Sequence, residues 1–69
     1  PNIEYAVSDL EKALEQDENF IDALFAMAAA QKKLGNYKTA LDYLERLLKI
    51  EPQAVNAKAL KKLIEQKYL

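Results

Sequence analysis

Residues that interrupt helices are scarce in this chain. Its 69 residues include one glycine, Gly35, and two prolines, Pro1 and Pro52. Because glycine and proline are the residues that most often mark turns, few positions are available for loops. Elsewhere, apolar residues recur three and four places apart, which is the spacing that puts them on one face of an α-helix. The sequence therefore predicts an all-α fold with short connections.

The apolar spacing predicts four helices, and residues suited to helix ends flank them. Asn2, Asn19 and Asn36 offer side-chain acceptors to the first amides of helices 1, 2 and 3. Gly35 can end helix 2 in a left-handed conformation, and Pro52 can end helix 3 and open helix 4. Connections of about two to four residues favour antiparallel neighbours. The predicted helices span residues 2–17, 20–34, 37–50 and 52–68.

The second predicted helix is apolar nearly all round. A helix of this kind has to be covered on more than one side. We therefore expect helix 1 and helix 3 to pack against it from two sides, as helices do in a solenoid. Its apolar residues are Ala23, Leu24, Phe25, Met27, Ala28, Ala30 and Leu34.

The composition excludes most catalytic and metal-binding chemistry. The chain contains no cysteine and no histidine, which removes disulfides, thiolate nucleophiles, imidazole bases and most zinc, iron and copper sites. Ser8 and Thr39 are the only hydroxyl nucleophiles besides tyrosine, and a serine triad needs histidine. A polar pair of Asp22 and Gln31 in a cleft is the remaining catalytic alternative, but no activated nucleophile accompanies it. We expect no enzyme, no cofactor and no metal site.

The sequence gives no sign of direct membrane insertion or of nucleic-acid binding. The longest apolar run, residues 23–30, is far shorter than the roughly 20 residues needed to span a bilayer. The lysines of the last predicted helix lack the arginine and the set of exposed aromatic residues that nucleic-acid binders favour. We expect a solvated face there and a cytoplasmic protein. These lysines are Lys58, Lys61, Lys62 and Lys67.

Residues 21–54 resemble one full tetratricopeptide repeat, a helix-turn-helix unit of 34 residues. The matching residues are Leu24, Met27, Ala28, Gly35, Asn36, Tyr37, Ala40, Tyr43, Leu44, Leu48, Ile50 and Pro52. In this register residues 2–17 are the second helix of a partial repeat, and residues 55–69 are a C-terminal capping helix with a charged outer face. The resemblance implies a fragment of a right-handed superhelical solenoid of about four helices.

Part of the same region is also similar to the C-terminal part of the tetratricopeptide-like domain of the mitochondrial fission adaptor family. In that family the helical bundle faces the cytosol and is tethered by a following membrane helix. The resemblance implies a place on the cytosolic face of an organelle membrane if such an anchor follows. The residues that carry it are Leu34 to Tyr37, Ala40, Leu41, Glu51 to Gln53, Asn56 to Lys58, Leu60, Leu63 and Ile64.

The resemblance to tetratricopeptide repeats implies a binding surface on helix 2. The first helix of each repeat lines a concave groove that binds peptides or partner helices. We expect another protein to place a peptide or an amphipathic helix there, with Phe25 as an apolar wall. Two alternatives stay open, namely that Phe25 is simply part of the core and that Lys32 and Lys33 are solvated charges. The predicted stripe consists of Asp22, Phe25, Ala26, Ala29, Lys32 and Lys33.

A second functional hypothesis is self-association into a homo-oligomer through the helical ends. Residues 1–31 carry seven acids and one lysine, a formal charge of −6, whereas residues 32–69 carry nine bases and four acids, a charge of +5. Opposite charges favour a head-to-tail contact between copies, and such a contact need not close into a ring. Helix 1 would then supply an apolar edge formed by Ala6, Leu10 and Ala13.

Overall fold

The computed structural model describes residues 3–69, which form four consecutive α-helices. The predicted all-α fold with four helices is confirmed, and the largest difference in bounds is at the start of the last helix. Asn2, the predicted cap of the first helix, lies outside the described residues. The helices are α1 (Ile3–Gln16), α2 (Ile21–Lys33), α3 (Tyr37–Ile50) and α4 (Val55–Lys67).

The side-chain caps predicted for α2 and α3 are not formed. Phe20, and not Asn19, is the N-cap residue of α2, and the backbone N–H of Asn19 donates to Oδ1 of Asp17 at 3.0 Å. Asn36 is the N-cap residue of α3 as predicted, but its Nδ2 donates to Oε1 of Gln31 at 2.9 Å. Short polar side chains also bond to neighbouring groups outside the helix, as the Asp17 carboxylate and the Asn36 amide do here.

Helix α4 begins three residues later than predicted, because Pro52 belongs to the turn that precedes it. The N–H of Ala54 donates to the carbonyl oxygen of Glu51 at 3.1 Å and closes a four-residue turn. Pro52 occupies the second position of this turn, where its fixed φ is favoured. Pro52 therefore follows the end of α3 as expected, but it does not open α4, whose N-cap residue is Ala54.

The predicted left-handed turn after α2 is confirmed at Gly35, which has a φ of +84°. The N–H of Asn36 donates to the carbonyl of Gln31 at 2.9 Å, and the N–H of Gly35 donates to that of Lys32 at 3.0 Å. These two bonds form a Schellman motif, which satisfies carbonyl groups that the end of a helix leaves without partners. The turn directs the chain from α2 into α3.

We expect Gly35→Val to lower the free energy of unfolding by about 1 to 2 kcal/mol. No heavy atom of the described residues, other than its chain neighbours, lies within 4 Å of a Cβ built at Gly35, so the cost comes from the positive φ and not from a clash. Urea unfolding followed by circular dichroism measures the change. Gly35→Asn is the matched control and should lose less, because asparagine tolerates the left-handed region. A Gly35→Val chain as stable as its parent would contradict this conformation.

The core lies where α2 and α3 meet each other and their outer neighbours. Helix α2 packs against both α1 and α3, and α3 also packs against α4, so the expectation that helix 2 is covered on two sides is confirmed. Small residues such as Ala28 and Ala40 are fully buried between the helices and allow them to approach closely. Among residues 3–69 no polar side chain is buried. The largest fully buried side chains are Leu24, Met27, Leu44, Leu47 and Ile64.

The charged face of α4 is largely solvated. Lys58, Lys62 and Glu65 are exposed, and Lys61 is half-buried. This arrangement agrees with the capping role expected of α4. The division of the chain into a partial repeat, a full repeat and a cap stays a prediction.

Candidate interaction surface

The predicted stripe on α2 does not form one continuous surface. Asp22 and Phe25 line a cleft shared with α3 and α4. Ala26, Ala29 and Lys33 line a groove shared with α1. Lys32 contacts the C-terminal end of α4 instead. The six predicted residues therefore belong to three neighbourhoods around one helix.

The α2–α4 cleft has a volume of about 330 Å³ and forms where the start of α2, the end of α3 and the start of α4 converge. Phe25 is half-buried and packs against the core while also lining the cleft. Val55, across the cleft, is 76% exposed. Phe25 thus contacts the core and lines the cleft, and its role in binding stays a prediction. The cleft is lined by Ile21, Asp22, Phe25, Leu47, Glu51, Ala54, Val55, Asn56 and Ala57.

The charge of the α2–α4 cleft is negative. Asp22 lies in the first turn of α2 and Glu51 directly follows α3, and both side chains are exposed. Of the described residues that line the cleft, none is basic. Leu47 and Ala57 are almost fully buried beneath it. The cleft therefore combines an apolar base with carboxylates at its sides.

The α1–α2 groove has a volume of about 270 Å³ and brings together two sets of residues that were predicted separately. Ala6 and Leu10 of the self-association edge lie in the same groove as Ala26 and Ala29 of the stripe. Ala13, the third residue of that edge, is half-buried against the core. Among the described residues of this groove, Lys33 is the only charged one.

Two tyrosines join the end of α4 to the start of α3. The rings of Tyr37 and Tyr68 stack with centroids 4.5 Å apart and planes 14° from parallel. The Nζ atoms of Lys32 and Lys67 lie 5.4 and 5.9 Å from the centroid of the Tyr68 ring, at distances suited to cation–π contacts. Lys32 thus lies beside an aromatic ring of the fold, and its role in binding stays a prediction. No sequence spacing pointed to the tyrosine pair.

Sequence reasoning missed the half of the α2–α4 cleft that α3 and α4 contribute. A usable signal was present, because Val55 and Asn56 follow Ile21 and Asp22 by one repeat length of 34 residues. Equivalent positions on the first helices of successive repeats lie side by side in a solenoid. Glu51 carried no such signal, because its place depends on the turn around Pro52.

No helix within residues 3–69 is both long and apolar enough to cross a membrane.

Comparison with known proteins identifies the repeat. The family model described as the Fis1 C-terminal tetratricopeptide repeat matches residues 21–68. Serine/threonine-protein phosphatase 5 from human, rat and mouse is 33% identical to this chain over 54 residues, which is 78% of this chain and 11% of each phosphatase. The chain thus spans about a tenth of the length of these curated relatives. No solved structure gives a significant match.

The matched region contains α2, α3 and α4, and with them every residue of the α2–α4 cleft. It covers well over half of the chain, and its helix-turn-helix architecture is the one observed here. Tetratricopeptide repeats are interaction folds without catalytic machinery of their own. The chain belongs to the Fis1 C-terminal tetratricopeptide repeat family.

Proposed function

We propose that this chain is a non-catalytic, cytoplasmic protein-interaction module that binds a peptide or an amphipathic helix of another protein in the α2–α4 cleft. The observation that carries the proposal is the position of Phe25. Its ring lies half-buried between the core and the larger of the two clefts that border α2. An aromatic side chain in this position loses further exposed area when a partner covers it, and such residues commonly dominate binding energy.

The walls of the cleft support binding of an apolar side chain. Ile21 and Phe25 come from α2, and Val55 comes from α4, so a bound side chain would contact two first helices of the repeat array. The exposure of Val55 means that its apolar surface is available to a partner. Docking of side chains between helices is one of the usual modes of peptide recognition.

The catalytic alternative is not supported by the positions of its two residues. Asp22 lines the α2–α4 cleft, whereas Gln31 lies at the far end of α2. The Gln31 side chain accepts a hydrogen bond from Asn36, and its Nε2 lies 3.8 Å from the sulfur of Met27. A shared catalytic cleft would need both polar groups on one side of the helix.

Self-association is the second candidate function, and the α1–α2 groove is the observation that favours it. Its apolar lining includes Ala6, which is exposed, and Leu10, which is half-buried. Helix α1 also belongs to the acidic half of the chain, so it would attract the basic half of another copy. This candidate uses a different surface from the first, and variants can therefore separate the two.

We expect Phe25→Ala to weaken partner binding by more than about 1 kcal/mol, because it removes the apolar wall of the α2–α4 cleft. Partners are first captured with the parent chain, and their affinities for parent and variant are then measured by isothermal titration calorimetry. Phe25→Ala should lower the free energy of unfolding less than the same change at a fully buried phenylalanine, since the Phe25 side chain is only half-buried.

Leu10→Ala is the control for this experiment, because Leu10 lines the other groove. It should leave the captured partners and their affinities unchanged. If Phe25→Ala retains every partner while Leu10→Ala loses them, the working surface is the α1–α2 groove and the first proposal is wrong. A Phe25→Ala chain that no longer folds would make Phe25 a core residue and would remove the support for the cleft.

A further inference from the structure

The carboxylates of the α2–α4 cleft have no partners within the part of the chain that the structure describes. Neither Asp22 nor Glu51 makes a side-chain hydrogen bond or an ion pair with residues 3–69. Lys58 is the first base along α4, and its Nζ donates to Oε1 of Gln53 at 3.5 Å. Neither residue lines the cleft. The cleft thus has two exposed negative charges that the described residues leave uncompensated.

Helix dipoles reduce this negative charge without cancelling it. The starts of α2 and α4 border the cleft, and each contributes a partial positive charge of about half an elementary charge. The end of α3, next to Glu51, contributes a partial negative charge of about the same size. Asp22 and Glu51 carry two full negative charges, which exceed these partial charges. The net negative charge of the cleft favours binding of a cation over an anion.

The apolar base of the cleft limits which cations fit. A small hydrophilic cation would leave Phe25 and Val55 without an apolar contact. A purely apolar group would bring both carboxylates close to an uncharged surface and remove part of their hydration, which is unfavourable. The volume of about 330 Å³ lies at the lower end of the range of about 300 to 1,000 Å³ for ligand pockets, so it suits one or two side chains.

We propose that the α2–α4 cleft selects a partner segment in which a large apolar side chain is adjacent to lysine or arginine. The apolar side chain contacts Phe25 and Val55, and the cationic group lies beside Asp22 and Glu51. This inference rests on the proposed function, namely that the cleft binds a partner protein, and adds the chemistry of that partner. Exposed charges of this kind contribute modestly to affinity and strongly to the choice between partners.

The test uses three short peptides with blocked ends and nuclear magnetic resonance of the isotope-labelled full chain. The first peptide contains Leu-Arg-Phe-Lys, the second replaces both bases with glutamate, and the third replaces both apolar residues with serine. The first peptide should shift the amide resonances of Asp22, Phe25 and Val55. It should bind at least about twofold more tightly than the glutamate peptide, as expected from the loss of two exposed charge pairs. It should also bind more tightly than the serine peptide, because the serine peptide lacks the apolar contacts.

The matched variants remove charge and preserve shape. Asp22→Asn combined with Glu51→Gln should weaken binding of the first peptide about two- to thirtyfold, as expected for two exposed pairs. Asp42→Asn combined with Glu45→Gln removes the same charge from exposed residues of α3 outside the cleft, and it should leave the affinity nearly unchanged. Equal weakening by both double variants would mean that net charge, and not the cleft, attracts the peptide, which would overturn the proposal.

The other outcomes separate this inference from the proposed function. If the glutamate or serine peptide shifts the same resonances with equal affinity, the cleft binds segments without the proposed preference, and only the inference is wrong. If no peptide shifts them and Phe25→Ala retains every partner, the proposed function fails as well. If these resonances shift when the labelled chain is concentrated without any peptide, a second copy occupies the cleft. That result would overturn the proposal of a separate basic partner.

Discussion

Leu24→Ala is expected to lower the free energy of unfolding by about 2 to 5 kcal/mol. Leu24 is fully buried in α2, the helix that packs against both α1 and α3. Truncation removes apolar contacts and leaves a cavity that the surrounding helices fill only in part. The total stability of a chain of this length is of the order of 3 to 10 kcal/mol, so this change removes a large fraction of it. Urea unfolding followed by circular dichroism measures the difference.

Leu63→Ala is the matched control, because it deletes the same atoms from a leucine that is 41% exposed on α4. Its expected cost is below about 1 kcal/mol, since less apolar area returns to water and no closed cavity forms. Equal losses for the two variants would contradict the placement of Leu24 in the core and with it the covered position of α2.

The helices and the covered position of α2 could be predicted because both depend on spacing along the sequence. Apolar residues three and four places apart define a helical face, and α2 has apolar residues on nearly every face. The left-handed turn at Gly35 was also predictable, because a single glycine after a helical pattern has few other roles. These features depend on residues that lie close together in the sequence, so they could be predicted without knowing how distant segments pack.

The helix starts were less predictable because the same residues suit more than one local structure. The asparagine side chain can cap a helix or bond to another side chain, and Asn36 does the latter. At Asn19 the bond is instead made by the backbone N–H, which donates to the Asp17 carboxylate. Proline suits both the first turn of a helix and the second position of a turn, and Pro52 takes the second role. The choice depends on how α4 docks against α3, which spacing does not encode.

The binding surface was only half predicted for a related reason. Neighbouring positions on a helix are rotated by about 100°, so Phe25 and Ala26 point in different directions. Whether they share a surface depends on which helices lie beside them. Helix α1 lies beside Ala26, whereas α4 lies beside Phe25, and the predicted stripe is divided between two grooves, with Lys32 in neither. Residues that end α3 and begin α4 line the α2–α4 cleft, and the turn at Pro52 connects them.

Ala28→Leu is expected to lower the free energy of unfolding by about 1 to 3 kcal/mol through overpacking. Ala28 is fully buried in α2, and its small side chain is part of what allows neighbouring helices to approach closely. A leucine there must displace a helix or adopt an unfavourable rotamer. Ala59→Leu, at an exposed position of α4, is the control in the same unfolding assay and should stay within about 0.5 kcal/mol of the parent. A stabilising Ala28→Leu would mean that space remains between α2 and its neighbours, and the close packing expected of a tetratricopeptide repeat would be wrong.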